Sequence, residues 1–262
     1  MSKPTEYLMT EKVVAMVEKT KPTLQLLRLF HACYAYVDRN RLLSIGTVAL
    51  TDKPSCTVLC SDLAAITGSP EAKSNSWIRT AIEEGGWGTL FSQLHLESCG
   101  TLLTFKFSPQ IGPASIRGPR DKIFAMLDSD EIRTISSANE AMFYTKAVMV
   151  GQANQPSFDL PNICPETAPW TDSSKKSWLR IAARVGTRLG QDYVVLPQRD
   201  PMTRAIARVR VKVVTSTTRW SEGYLFPRLP SPPVAVVHGG HFVCLKKCEL
   251  IERRDWTMAT RP

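Results

Sequence analysis

Apolar and polar positions along this chain follow two periods, and the period sets the element expected of each stretch. Thr10–Thr20 reads as a short helix. Lys21–Asp38 reads as a longer one, with Pro22 in its first turn and Leu24, Leu27, Phe30, Ala32, Tyr34 and Val37 on one face. Arg39-Asn40 and Gly46 break it. Ser44–Leu50 and Cys56–Leu59 read as extended. Ser61–Gly68 predicts a helix capped by Ser61, with Leu63 and Ile66 inward and Gly68 at its end. Ser69-Pro70 is a turn. Ser74–Glu84 follows as a helix with Trp77, Ile78, Ala81 and Ile82 inward. After Gly85-Gly86-Trp87-Gly88, Leu94–Leu96 and Thr101–Phe107 read as a hairpin around Ser98-Cys99-Gly100. Phe124–Leu127 and Ser137–Val150 read as helical.

Helix, tight break, helix and hairpin is the order of a winged helix, so residues 1–150 are expected to form one such domain. Residues 151–172 carry Pro156, Pro161, Pro165 and Pro169 without a periodic apolar pattern and read as a linker. A second domain is expected over 173–262. It opens with a helix capped by Ser173 or Ser174, running through Leu189 and stopped by Gly190. Trp178, Ile181, Ala182, Val185 and Leu189 form its apolar face. Tyr193–Leu196 and Ile206–Val214 read as strands around a turn-rich tip, Pro197–Arg204. In the second strand Arg208, Arg210 and Lys212 alternate with Val209, Val211 and Val213. The tail holds a Pro-rich segment, Phe226–Pro233, and a strand Val234–Val237 paired with Phe242–Leu245. The expected fold is therefore α+β: two winged-helix-like domains joined by a Pro-rich linker, with a β-containing C-terminal tail.

Charge sharpens this picture. The net charge is +9 over 262 residues, with a pI near 9.3. Residues 1–150 hold 16 Lys and Arg against 15 Asp and Glu, whereas residues 151–262 hold 17 against 9. Within Lys175–Arg219 there are 11 basic residues and two acids, Asp192 and Asp200. Such a concentration is the footprint of a surface for a polyanion. Arg180, Arg184 and Arg188 share one helix stripe, able to present paired donors to guanine edges or phosphates in a major groove about 12 Å wide. Arg199 and Arg204 near the hairpin tip suit a neighbouring backbone or narrow minor groove. Lys175, Lys176, Arg208, Arg210 and Lys212 complete the candidate DNA-binding set. The aromatics of this region, Trp178, Tyr193 and Trp220, make a thin platform for stacking single strands, so double-stranded DNA is the expected partner.

Other chemistry finds less support. The longest apolar runs, such as Val234–Val237, are too short to span a bilayer, and the first residues show no secretory pattern. Seven cysteines, an odd number, point to reduced thiols and a cytoplasmic location. His238, His241, Cys244 and Cys248 could supply zinc ligands, but their spacing matches no standard finger, and no cofactor or metal is expected. No nucleophile elbow, phosphate loop or dinucleotide fingerprint occurs, so a non-enzymatic protein is expected. Three alternatives stay open: a winged-helix transcription regulator or phage DNA adaptor, a metal-dependent nucleic-acid-processing enzyme, and a structural protein packed on nucleic acid.

Several pieces together resemble the plasmid replication initiator (Rep) proteins: Leu24–Tyr36, Cys60–Gly68, Ser76–Ile82, Gly100–Phe107, and Ile123–Val150 with Ser136-Ser137 ahead of Ala141–Tyr144. The resemblance covers residues 20–215 as a pattern of elements. It implies a homodimer whose first domain dimerises and touches DNA backbone while the second reads repeated origin sites. It also implies that host replication proteins are recruited, that Arg180, Arg184 and Arg188 are the readers, and that Arg199 and Arg204 are the wing contacts. The stretch before Ser173 shows no helical pattern where that family carries a further helix, and residues 219–262 match no part of it.

Overall fold

The computed structural model describes residues 5–40, 55–68, 75–115, 124–151, 153–215 and 235–244. The chain divides into two compact units, Met1–Ala141 and Met142–Pro262. Both mix helix and strand.

The first unit begins with β1 (Glu6–Thr10), α1 (Glu11–Thr20) and α2 (Leu24–Arg39). Thr10 caps α1, its hydroxyl accepting from the Val13 amide, and Thr23 caps α2 through the Leu26 amide. Pro22 therefore precedes the cap of α2 instead of sitting in its first turn; the left-handed Lys21 (φ 49°) has already separated the two helices. Then come β2 (Cys56–Leu59), α3 (Cys60–Thr67), α4 (Ser76–Glu83), β3 (Phe91–Leu96) and β4 (Leu102–Phe107). α3 starts one residue before Ser61, after Leu59, and has no side-chain cap. The three strands form a sheet in the order β2-β4-β3. Phe91, Phe105 and Phe107 turn toward α2, where Phe30 and Tyr34 meet them; the Phe91 and Phe107 rings stack at 5.4 Å and Phe30 meets Phe107 edge-on at 5.7 Å. Each buried ring contributes about 2 kcal/mol of hydrophobic stabilisation.

After α5 (Ile111–Ser115) the chain reaches Phe124–Asp128, which is a strand, β5, and not the helix the apolar run suggested. It pairs antiparallel with β1, Tyr7 opposite Leu127 and Leu8 opposite Met126. Ala125 and Leu127 are buried while Met126 between them is exposed, a two-residue alternation too short to distinguish from helix by sequence. β1 carries Tyr7, whose hydroxyl meets Nδ1 of the buried His31 at 2.6 Å. Burial pulls the His31 pKa from 6.5 down to about 3. α6 (Ser129–Thr134) follows. Arg28 of α2 donates to the carbonyls of Ile135 (2.6 Å) and Arg133 (3.3 Å), a cation set against a helix C-terminus.

α7 (Ala138–Val150) crosses the division between the units, so it does not close the first one as the sequence suggests. Its Phe143 packs against Phe158 and Tyr193, each at 5.1 Å, in the core of the second unit. That unit also holds β6 (Ser157–Asp159), α8 (Asp172–Leu189), β7 (Asp192–Arg199), β8 (Ile206–Val214), β9 (Ala235–His238) and β10 (His241–Cys244), in one antiparallel sheet ordered β10-β9-β7-β8-β6. β6 comes from the stretch read as a linker and pairs with β8, Phe158 opposite Val211 and Asp159 opposite Arg210. The one apolar side chain of this short strand, Phe158, gave no period to recognise. β7 runs on to Arg199, so the hairpin tip narrows to residues 200–205. Among the described residues, pairing of β7 with β9 runs from Tyr193 to Val195. Ser44–Leu50, Gly46, Ser69-Pro70, Phe226–Pro233 and Cys248 lie outside the described residues.

Candidate nucleic-acid interface

The interface begins with how α8 is held. Thr171 caps it in a capping box with Ser174, two or three residues upstream of the expected Ser173 or Ser174, and Gly190 closes it at φ 61°. Trp178, Leu179, Ile181, Ala182, Ala183, Val185 and Gly186 are buried. Gly186 sits against the start of the hairpin: a Cβ there would lie 2.7 Å from the Gln191 carbonyl oxygen and 3.2 Å from the Tyr193 ring. A bare backbone at this point lets the helix lie directly on the strand that follows it.

The buried side chains occupy most of the helix circumference. Arg180 and Arg184 fall on the remaining sector and are exposed; Arg188, one turn further, is partly covered. Four-residue steps set these cations about 6 Å apart along the axis. Lys176 is exposed beside them and Lys175 is half-buried. The stripe read from sequence is therefore gathered on one outward face.

The hairpin behaves differently along its length. On one face of the sheet Tyr193, Val195, Val209, Val211 and Val213 are buried, matched across β7 and β8 as Tyr193 with Val213 and Val195 with Val211. Arg208, Arg210 and Lys212 take the other face, and they do not form an open cationic row. Lys212 keeps only 9% of its surface accessible, and burial lowers its pKa, with Arg210 adding to the effect. Arg210 forks onto Asp159 of β6, Nε to Oδ1 at 3.0 Å and Nη2 to Oδ2 at 3.3 Å. Arg208 is exposed and its Nε donates to Gln198 Oε1. The pairing of Arg210 was hidden from sequence because Asp159 belongs to a strand that gave no signal.

The tip is tightly built. Asp200 Oδ1 accepts from the amides of Met202 (2.8 Å) and Thr203 (2.7 Å) and from the Thr203 hydroxyl. These bonds hold the Asp200 carboxyl below its ordinary pKa. The Arg204 amide returns to the Asp200 carbonyl at 3.0 Å, and Arg204 itself is left-handed (φ 62°). Arg199 Nη1 donates to the Arg204 carbonyl at 2.7 Å, crossing the base of the tip. Both arginines are exposed.

Elsewhere, His238 Nδ1 lies 2.9 Å from Asp192 Oδ2 across β9 and β7. His241 and Cys244 follow on β10. Among the described residues no three His, Cys, Asp or Glu side chains come together to hold a metal ion. The cysteines at 33, 56, 60, 99, 164 and 244 are unpaired thiols. No helix among the described residues is long and apolar enough to cross a membrane.

No protein-family model matches this chain, and no curated protein matches it. Among solved structures it is similar to the crystal structure of the Pi initiator protein in complex with iteron DNA. The likeness spans 82% of this chain and 100% of that one, with a TM-score of 0.47 and 13% sequence identity.

Proposed function

We propose that this protein binds duplex DNA through the outward stripe of α8 and the tip of the β7–β8 hairpin, without a catalytic step of its own. The observation that carries this reading is the direction of Arg180 and Arg184: both project from the side of α8 opposite its buried face. A helix that presents guanidinium groups along one open stripe can lie in a major groove and reach bases or phosphates. Arg199, Arg204 and Arg208 extend the same sign onto an adjoining hairpin, while the one acid of the tip, Asp200, is engaged by its own loop. Arg210 and Lys212 are left out of the contact surface, since one is paired and the other covered.

The finer reading is a replication initiator acting on repeated sites as a homodimer and recruiting host replication proteins. It rests on the residue patterns quoted above. The order α2, β2, α3, α4 and the β3–β4 hairpin, with β2 beside β4, supports a winged-helix reading of the first unit. Fluorescence anisotropy with a labelled duplex over a salt series tests the DNA reading. Affinity is expected to fall steeply with salt, and Arg180→Ala/Arg184→Ala/Arg188→Ala to flatten the slope. Binding that is absent at low salt, or unchanged in the triple variant, overturns the assignment. Plasmid maintenance that depends on short repeats beside the coding region tests the initiator role.

A further inference from the structure

One side chain at the hairpin tip has no structural task. Among the described residues Met202 is 92% exposed, far more than the next exposed large apolar residues, Leu59 at 45% and Met126 at 44%. It stands on a loop that is fixed rather than floppy. Pro201 restricts the backbone before it. The Asp200 carboxylate holds the Met202 and Thr203 amides, and the Arg204 amide closes the loop onto the Asp200 carbonyl. Arg199, bonded to the Arg204 carbonyl, lies across the base, so cations flank the projecting thioether on both sides in sequence. A single exposed apolar side chain is ordinary on a protein surface; what sets Met202 apart is its place at the outer end of a hydrogen-bonded loop between two exposed arginines.

We propose that Met202 is an apolar wedge that enters between two base pairs when the hairpin tip docks on duplex DNA, unstacking the step and bending the duplex there. This rests on the DNA-binding reading of the second unit and adds a deformation of the DNA to it. Apolar side chains inserted from a minor groove partly unstack a base step and kink the helix away from the protein, and flanking arginines suit the negative potential of that groove. Methionine is unbranched and polarisable, so it fits an opened step without a fixed shape. Pyrimidine–purine steps, TA above all, open most easily and are the expected point of entry. The Asp200 carboxylate, held by two amides and still charged, stiffens the loop beneath the wedge, and Arg199 and Arg204 outnumber it at the tip.

The test uses the full chain and short duplexes with 2-aminopurine placed at TA steps, at low salt. Anisotropy reports binding and 2-aminopurine fluorescence reports unstacking. The wild-type protein is expected to bind and to raise the fluorescence. Met202→Ala, a change at an exposed position that leaves the fold intact, is expected to abolish the rise and to weaken binding by no more than about tenfold. Met202→Leu is expected to restore the rise. Binding with no rise in the wild type, or a rise retained in Met202→Ala, overturns the wedge and leaves the DNA-binding reading standing. No salt-sensitive binding by the wild type overturns both.

Discussion

Both units place a helix directly before a two-stranded hairpin, α4 before β3–β4 and α8 before β7–β8, yet they use their basic residues in opposite ways. In the first unit the arginines on α2 turn inward. Arg28 feeds the carbonyls of Ile135 and Arg133, and Arg39 donates to the Thr5 carbonyl and the Ser129 hydroxyl. α4 offers Arg79 together with Glu83, and its hairpin turns at Glu97. In the second unit Arg180 and Arg184 face outward and the tip shows Arg199 and Arg204. The connections differ as well. Gly85 and Gly86, both left-handed, lead out of α4 through a single 3₁₀ turn, whereas α8 meets its hairpin at close quarters through Gly186 and Gly190. Similar local order thus carries two different arrangements of charge among the described residues.

The largest effect expected from breaking this contrast is on DNA affinity. Replacing Arg180, Arg184 and Arg188 with alanine should weaken duplex binding about a hundredfold at moderate salt and lower the salt slope by about three. Arg79→Ala should stay within about twofold of wild type, since a lone cation in mixed-sign surroundings adds little. Equal losses in the two variants, read by anisotropy, would erase the distinction between the units.

Next is the seam in the second unit. Gly186→Ala should destabilise it by about 2 kcal/mol, because the added carbon meets the Gln191 backbone, which cannot swing aside. A melting midpoint lower by about 10 °C is the expected readout. A midpoint equal to that of wild type would show that the helix–hairpin contact is looser than described.

The first unit should carry the steeper acid sensitivity. His31 titrates near 3 when folded, against 6.5 when unfolded. Its folded pKa is lowered, so its contribution is complete above about 6.5 and is lost as the pH falls toward 3. Thermal midpoints measured over that window should drop with acidification, and His31→Gln, whose amide can pair with the Tyr7 hydroxyl as donor or acceptor, should flatten the dependence. An unchanged pH profile in the variant would place the sensitivity elsewhere.

The smallest effect sharpens the boundary of the interface. Arg210→Ala should alter DNA affinity by less than about threefold, because its fork already holds Asp159, and should cost less than about 1 kcal/mol, both partners being more than a third exposed. A loss comparable to the triple variant would return Arg210 to the contact surface.

Much of the local structure was legible in the chain. The α8 stripe, the span Ile206–Val214, the β3–β4 turn and the strands flanking Gly239-Gly240 follow from periods that each element satisfies within its own residues. The elements that were not legible depend on partners far away in sequence. β1 and β5 are each short and look strand-like only once paired, 114 to 122 positions separating their register partners, 120 for Tyr7 and Leu127. β6 is three residues long and exists because β8 offers it an open edge.

The candidate site divides along the same line. That Lys175–Arg219 carries nine more basic than acidic residues, and that three of its arginines share a helix stripe, is fixed by residue identity and by the 3.6-residue turn. Which of those cations remain available is a tertiary matter. Alternation puts Arg208, Arg210 and Lys212 on one strand face, but long-range pairing with Asp159 and the covering of Lys212 decide that the row is not an open one. The same holds at the tip, where Asp-Pro marks a turn, while only the folded loop turns the carboxylate onto two amides and leaves Met202 outermost. Short-range periodicity sets where a side chain leaves the backbone; burial and pairing, which join residues distant in the chain, set what it meets there.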